Sequence, residues 1–367
     1  MLALAIGCSQ PARPPVLQSP DLDVPEVIAM YVPPDAVPVH TPPTTCGGDA
    51  VTITRMRAEV IFLIDRSGSM VNPTTDGAEK WTALGTALHD FLPRIEANIS
   101  MGMMAFPRPQ SSGGAVSPEV VCGVPAVLDV QPNYGNASAI LSVVMRYPPS
   151  GATPTFAALS AAAQYYSTEP DRSGQHYLVL ATDGGPNCNA AFDNHTCRCS
   201  DVDVLCRNDM NTFARYNCLD DARTITEIRA IAGMGVPTYV IGLPGSEGLG
   251  DVLNAMADAG GRPRSGATHY YSVQTAGDLA TQFASITTGL VECSFHLASA
   301  PPDPNLVDVR FDDRSLIHDP THQNGWDWAD ETHQLVAFYG ATCNQLRFAS
   351  GGDRISAVFG CPAPAPP

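Results

Sequence analysis

Short apolar runs alternate with longer amphipathic segments through the middle of the chain, and this alternation constrains the fold more than any other feature. Residues 60–64, 99–106 and 177–181 are almost entirely apolar, as expected of strands that are covered on both faces. Residues 79–95 and 155–166 instead place their apolar side chains along one side of a helix. This order of strands and helices predicts an α/β fold with a doubly wound, mostly parallel sheet.

The same alternation continues to about residue 290 and then stops. Further helices are expected at 220–232, 250–259 and 277–290, and further strands at 237–242 and 269–273. We therefore expect the α/β domain to span residues 46–291. From 292 to 361 the runs become shorter and richer in β-branched and aromatic residues, which predicts a small C-terminal β-rich unit. Its expected strands are 307–311, 334–339 and 355–359.

Both ends of the chain differ in composition from the part between them. Residues 9–45 contain ten prolines and no lysine, which predicts a semi-rigid linker, and residues 362–367 form a second proline-rich tail. Residues 1–8 end in Gly7-Cys8 after an apolar stretch and resemble the end of a bacterial lipoprotein signal, which implies lipidation of Cys8. The stretch is short and lacks Lys and Arg, so we expect a truncated signal whose true start lies upstream. A buried or unpaired Cys8 is the alternative.

The charge balance argues against nucleic acid as a partner, and the hydropathy argues against a membrane-spanning segment. The chain has 20 Lys and Arg against 37 Asp and Glu, a net charge of −17, and its basic residues form no cluster in the sequence. Phosphate backbones are bound by clustered Lys and Arg, so nucleic acid is not expected as a partner. No run of about 18 apolar residues occurs in the sequence, so contact with a membrane is expected only through the lipid anchor.

Eleven cysteines are many for a reducing compartment and favour an oxidising one, where disulfides persist. If Cys8 is lipidated, ten remain as disulfide candidates: Cys46, Cys122, Cys188, Cys197, Cys199, Cys206, Cys218, Cys293, Cys343 and Cys361. Five of them lie in an acidic insertion at residues 186–218, so at least one must pair outside that segment. Zinc bound by His195, Cys197, Cys199 and Cys206 is the alternative, although Cys-x-Cys is not the usual zinc spacing.

Side chains with oxygen ligands occur at three places where an expected strand ends or a helix begins. Asp65, Ser67 and Ser69 follow the first apolar strand, Thr153 precedes a helix, and Asp183 follows the strand at 177–181. In open α/β sheets, ligands bind at the carboxyl ends of the strands. Carboxylate and hydroxyl oxygens suit Mg²⁺, Mn²⁺ or Ca²⁺. The alternative is that these residues only cap helices and form turns.

The pattern Asp65-x-Ser67-x-Ser69, followed by Thr153 and by Asp183 in an Ala-Thr-Asp-Gly context, resembles the metal-ion-dependent adhesion site of von Willebrand factor type A domains. The resemblance covers about residues 58–291. It implies that the three hydroxyls coordinate Mg²⁺, or Mn²⁺ or Ca²⁺ in its place, and that the two carboxylates act directly or through water. It also implies an open coordination position that a carboxylate of the partner fills.

These features lead to the expectation of an extracytoplasmic adhesion or protein-binding module, similar to bacterial lipoproteins with a von Willebrand factor type A domain. Its expected place is the cell envelope, on the outer membrane or cell surface, and its expected partner is a protein or surface polymer with an acidic group. The alternative is an envelope scaffold whose metal site is only structural. An enzyme is not expected, because the nucleophile-elbow, zinc-protease, phosphate-loop and dinucleotide-binding patterns do not occur in the sequence.

Overall fold

The computed structural model describes residues 50–55, 58–110, 117–168, 174–200, 206–207, 212–290, 293–347 and 355–366. All of them belong to one compact unit, residues 40–367. The predictions for residues 1–8, for the linker at 9–45, for Cys8 and for Cys46 fall outside the described residues. Within the described ranges, no helix is both long enough and apolar enough to cross a membrane.

The described residues form both strands and helices, as expected. In chain order the strands are β1 (Ala50–Arg55), β2 (Ala58–Asp65), β3 (Ile99–Phe106), β4 (Val130–Asn133), β5 (Gln175–Thr182), β6 (Thr238–Gly242), β7 (Tyr271–Ser272), β8 (Ser294–Leu297), β9 (Val307–Phe311), β10 (Arg314–Ser315), β11 (Gly325–Trp328), β12 (Leu335–Tyr339) and β13 (Ile355–Phe359). The helices are α1 (Lys80–Ile95), α2 (Pro118–Val121), α3 (Ala137–Arg146), α4 (Thr155–Thr168), α5 (Asp221–Gly233), α6 (Gly250–Ala259), α7 (Ala276–Leu290) and α8 (Gly340–Arg347).

Six strands form the central sheet in the order β4-β3-β2-β5-β6-β7. Every neighbouring pair is parallel except β3 and β4, which are antiparallel. Strand β2 lies between β3 and β5, with Ile64 opposite Ala105 on one side and Ala181 on the other. The prediction of a doubly wound, mostly parallel sheet is therefore confirmed.

Helices cover both faces of this sheet, which explains why its central strands are apolar throughout. Val60, Phe62 and Ile64 of β2 face one core with α1, α3 and α7. Ile61 and Leu63 face the opposite core with α4, α5 and α6. Successive side chains of a strand point to opposite faces, so a strand between two helical layers needs an apolar residue at every position.

Seven antiparallel strands form a second sheet in the order β10-β9-β13-β1-β8-β12-β11, which confirms the expected β-rich C-terminal part. Strand β1 lies inside this sheet, between β13 and β8, although it precedes the α/β elements in the chain. No strand was predicted at residues 50–55, because the pairing partners of β1 are more than 200 residues away. The predicted boundary at residue 46 stays a prediction.

Further elements with short or weak sequence patterns were also not predicted, among them α2, α3, α8, β4, β8, β10 and β11. Helix α3 buries Ala137, Ile140 and Val144, a spacing that is helical but short. Strand β4 covers four residues and includes Pro132 at the edge of the sheet, a position that tolerates a missing amide donor. Helix α8 lies in the C-terminal part, for which we expected only strands.

Four disulfides lie among the described residues: Cys122–Cys188, Cys197–Cys218, Cys199–Cys206 and Cys293–Cys343. The first confirms that the insertion is tied to a cysteine outside it. Sulfur atoms of Cys197, Cys206 and Cys218 lie within 4.8 Å of one another. All three belong to disulfides, so they offer no thiolate to zinc and the zinc alternative is wrong. Cys361 is buried.

Candidate metal-binding site

The predicted oxygen ligands meet at the carboxyl edge of the parallel sheet. Asp65 is the last residue of β2, and Asp183 directly follows β5, the strand beside it. Ser67 and Ser69 lie at the turn of 3-10 helix after β2, and Thr153 lies two residues before α4. All except Asp65 line one pocket of about 1080 Å³. Asp65 is fully buried beneath it.

Hydrogen bonds connect the hydroxyls to the carboxylate on the neighbouring strand. The Ser69 hydroxyl donates to Oδ1 of Asp183 at 2.8 Å, and the Ser67 and Ser69 oxygens are 3.0 Å apart. Asp65 accepts the Thr182 hydroxyl at 2.6 Å through Oδ2 and the backbone amide of Ser67 at 2.8 Å through Oδ1. The loop after β2 is thus attached to β5 through the same groups that the resemblance assigns to the metal.

The segment that carries Thr153 is held against this loop by backbone contacts. The Gly68 amide donates to the carbonyl of Gly151 at 3.0 Å. Gly151 has a φ of 88°, and a Cβ there would lie 2.9 Å from the carbonyl oxygen of Val121. A side chain at this position is therefore excluded by both backbone conformation and space.

Thr153 is fixed by the first residues of the insertion. The backbone amide of Thr153 donates a hydrogen bond to Oδ1 of the Asn187 side chain at 2.8 Å. The backbone amide of Asn187 donates one to the Thr153 carbonyl at 2.9 Å. Cys188, the next residue, is linked to Cys122 by a disulfide. The insertion therefore contributes to the position of a predicted metal ligand.

A buried lysine in the pocket was not predicted. Lys80, the first residue of α1, places Nζ 2.7 Å from Oδ2 of Asp183, and both side chains are buried. Lys80 is the single lysine among the 367 residues. A residue type that occurs only once could have drawn attention to this position, but the sequence does not indicate which residue the lysine contacts.

Burial sets the electrostatics of the site. Loss of solvent and, second, the neighbouring Asp183 carboxyl raise the pKa of Asp65 from its ordinary value of 3.8 to about 7. The hydrogen bonds from Thr182 and Ser67 act in the opposite direction. Two buried carboxyls at one edge of a sheet repel each other when both are ionised, so positive charge at the site, from Lys80 or from a bound cation, favours the ionised pair.

The donor set fits a hard divalent cation. Three hydroxyls and two carboxyls converge, all of them oxygen donors, and Mg²⁺ accepts a site with few carboxylates because it retains several waters. Gly184 lies beside the site, where a Cβ would be 3.8 Å from the Thr153 hydroxyl. The arrangement can hold an ion and leave part of its coordination shell facing the pocket.

The insertion forms one wall of the same pocket. It contributes Arg198, Cys199, Ser200, Phe213, Tyr216 and Asn217 to the lining. Two backbone hydrogen bonds join residues 198–200 to residues 217–219, from the Ser200 amide to the Asn217 carbonyl at 2.9 Å and from the Leu219 amide to the Arg198 carbonyl at 2.8 Å. The disulfides Cys197–Cys218 and Cys199–Cys206 lie in the same part of the chain. The wall is therefore covalently restrained.

No family model and no curated protein matches the sequence. Solved structures of similar fold include the PilB minor pilin from Streptococcus sanguinis, at 17% identity over 63% of this chain and 60% of that chain, with a TM-score of 0.43. The pilus adhesin SpaC from Lactobacillus rhamnosus GG matches at 14% identity over 83% of this chain and 40% of that chain, with a TM-score of 0.45. The manganese-loaded Plasmodium vivax TRAP protein matches at 16% identity over 72% of this chain and 91% of that chain, with a TM-score of 0.43.

The chain thus spans about 60% of the length of the pilin and about 40% of the length of SpaC. At these identities and TM-scores, neither the family nor the function of this chain is inferred from the similarity. The order of the parallel strands and the meeting of all five motif residues at one sheet edge give this chain a von Willebrand factor type A-like fold.

Proposed function

We propose that this protein is an extracytoplasmic binding module that captures an acidic group of a protein or surface polymer through a divalent cation. The proposed cation is Mg²⁺. The observation that carries the proposal is the convergence of Asp65, Ser67, Ser69, Thr153 and Asp183 at the sheet edge, where four of them line an accessible pocket. The proposed role is binding without catalysis.

The described contacts support a division of roles among these residues. Ser67, Ser69 and Thr153 would hold the ion through neutral hydroxyls, and Asp65 and Asp183 would supply the negative charge. The ion would provide an electrophilic position for a carboxylate of the partner. Thr182 orients Asp65, and Ser69 orients Asp183, through these hydrogen bonds. Preoriented ligands lower the entropic cost of binding.

The insertion wall adds a second part to the proposed binding surface. Phe213 and Tyr216 bring aromatic surface to the pocket, and Arg198 lines it as well. Arg198 is held by Asp251 of α6, with Nη1 2.7 Å from Oδ2. A partner with an apolar or aromatic group next to its carboxylate would contact both the ion and this wall.

The four disulfides support a place outside the reducing cytoplasm. A lipid on Cys8 and a proline-rich linker at 9–45 would hold the module at a short distance from a membrane of the cell envelope. This part of the proposal rests on the sequence alone. Fractionation of cells that express a Cys8→Ser variant tests it, because the variant is expected to leave the membrane fraction.

The metal-binding part of the proposal can be tested without knowledge of the partner. Acetate serves as the simplest carboxylate, and Mn²⁺ shortens the proton relaxation time of any ligand that it coordinates. We expect enhanced relaxation of acetate protons with the Mn²⁺-loaded protein. The effect should be lost in Ser67→Ala and Asp183→Ala variants.

Ser142→Ala is the matched control, because Ser142 is exposed on α3 and its hydroxyl only contacts the backbone of the same helix. Relaxation by Ser67→Ala equal to that of the unmodified protein would contradict the proposed ligand set. Mn²⁺ binding without any effect on acetate would favour a scaffold whose ion is only structural.

A further inference from the structure

Lys80 occupies a position that is unfavourable for a positive charge. It begins α1, where the helix dipole is itself positive, and its side chain is only 5% exposed. Burial of an ammonium group costs free energy unless the group is paired. The described partner of Lys80 is Asp183, so this costly residue is placed directly on a predicted metal ligand.

The surroundings of Lys80 leave room for its ammonium group. A Cβ on Gly245 would lie 2.8 Å from Nζ, and Gly245 has a φ of 103°, so a side chain there would meet both strain and Lys80. The two oxygens of Asp183 are divided between different donors. Oδ1 accepts a hydrogen bond from the Ser69 hydroxyl, and Oδ2 accepts one from the Lys80 ammonium group.

We infer that Lys80 weakens the binding of a free divalent cation at this site and makes stable cation binding depend on an anionic group from the partner. This inference rests on the proposed function. It assigns to Lys80 a positioning and affinity-setting role and no direct contact with the partner.

The charges of the site explain this role. A divalent ion with two ionised carboxylates, Asp65 and Asp183, forms a neutral group. With the ammonium of Lys80 at 2.7 Å from Asp183, the same group carries a charge of +1. A net charge in a buried site is unfavourable, and one carboxylate from outside restores neutrality. The ion and the acidic ligand therefore favour each other, which is positive coupling between two ligands.

The test compares Lys80→Met with the unmodified protein in a titration with Mn²⁺, with the free ion measured by electron paramagnetic resonance. Methionine keeps a long unbranched side chain but removes the charge. We expect Mn²⁺ to bind Lys80→Met more tightly by about tenfold or more, because a unit charge close to the ion is removed from a poorly screened site. Arg94→Met is the control, since it removes one positive charge from the exposed end of α1.

A second variant and a second ligand separate the charge effect from a loss of folding. Lys80→Arg keeps the positive charge and is expected to bind Mn²⁺ as weakly as the unmodified protein. Acetate should raise the Mn²⁺ affinity of the unmodified protein severalfold, and it should raise that of Lys80→Met less. Far-ultraviolet circular dichroism confirms that each titrated variant is folded.

Equal or weaker Mn²⁺ binding by folded Lys80→Met would overturn the role of Lys80 and leave the metal site intact. If Lys80→Met does not fold, the Lys80→Arg variant decides. The proposed role of Lys80 would be overturned if Lys80→Arg bound Mn²⁺ more than tenfold more tightly than the unmodified protein. Absence of binding by all folded variants, with and without acetate, would contradict the proposed metal site as well as the inference.

Discussion

At the scale of single residues, the site joins side chains that lie far apart in the chain. Asp65 and Asp183 are 118 positions apart, yet each follows a strand of one parallel sheet. Parallel strands end at the same edge, so their meeting follows from the strand pattern. Lys80 begins a helix, and its contact with Asp183 depends on how α1 packs, which no local pattern encodes.

The raised pKa of Asp65 predicts a pH dependence of the metal-free protein. In the folded chain the Asp65 carboxyl retains its proton up to a pH of about 7. In the unfolded chain the same carboxyl loses its proton near pH 3.8. The folded state therefore binds more protons between these values, and the free energy of unfolding falls as the pH rises through this range. The contribution of Asp65 amounts to at most about 4 kcal/mol.

Urea unfolding in the presence of a chelator, at several pH values between these limits, measures the effect. Asp65→Asn cannot ionise, so its free energy of unfolding should fall less steeply with pH than that of the unmodified protein. Identical slopes for the two proteins would show that Asp65 does not titrate as described.

At the scale of structural elements, long apolar patterns define their helix or strand locally and short ones do not. Strand β3 and helix α6 have the predicted bounds, because each presents a long pattern with clear ends. Strand β1 and helix α8 were not predicted, since short segments are defined by distant partners. The pairing of Cys122 with Cys188 likewise depends on the fold, and cysteine spacing does not encode it.

The insertion wall is expected to contribute to ligand choice without contributing to metal binding. Phenylacetate should bind the Mn²⁺-loaded protein several times more tightly than acetate, because its ring can pack on Phe213 and Tyr216. Tyr216→Ala should reduce this preference and leave the Mn²⁺ affinity unchanged. Competition between the two acids, followed by proton relaxation, measures it.

Tyr134→Ala is the control for this prediction, because Tyr134 is an exposed tyrosine that does not line the pocket. An unchanged preference in Tyr216→Ala would exclude this tyrosine from the binding surface. A loss of Mn²⁺ affinity would instead assign to it a part in holding the site together.

The turn between β10 and β11 depends on a single carboxylate. Asp319 accepts the backbone amides of Thr321, Gln323 and Asn324 at 2.9, 2.9 and 2.7 Å. The hydrogen bond from the Asn324 amide above all, then one from the Thr321 hydroxyl and those from the other two amides, lower the pKa of Asp319 to about 2. Their stabilisation is therefore complete above the ordinary pKa of 3.8 and is lost as the pH falls towards about 2.

Asp319→Asn is expected to lower the melting temperature at neutral pH, because a neutral amide accepts these hydrogen bonds more weakly. The difference from the unmodified protein should shrink as the pH falls towards the pKa of Asp319. Differential scanning calorimetry at neutral and acidic pH measures both values. A difference that stays constant with pH would contradict the role of the ionised carboxylate.

At the scale of the whole molecule, the α/β elements lie in the chain between two neighbouring strands of the antiparallel sheet. Strand β1 precedes them and β8 follows them, and Ile53 of β1 is opposite Leu297 of β8. Among the described residues, the two core clusters of the parallel sheet contain no residue of the antiparallel sheet. The two sheets therefore have separate cores.

Ile53→Asp should accordingly damage one sheet and spare the other. Ile53 is 5% exposed, and a buried unpaired carboxylate costs several kcal/mol, on the order of the whole stability of a small domain. Hydrogen exchange should show lost protection in β8 and β13, with β2 and β5 still protected and Mg²⁺ still bound. Val127→Asp, at an exposed valine, is the control. Equal loss of protection in both sheets would show that they unfold together.

The five motif residues are proposed to form a working divalent-cation site. Calorimetric titration of Mg²⁺ into oxidised, chelator-treated protein, with acetate present, measures whether they do. The double variant Asp65→Ala/Asp183→Ala is the reference, because it removes both carboxylates of the site. We expect saturable binding of one Mg²⁺ to the unmodified protein and none to the double variant. No saturable heat in the unmodified protein, or the same heat in both proteins, would contradict it.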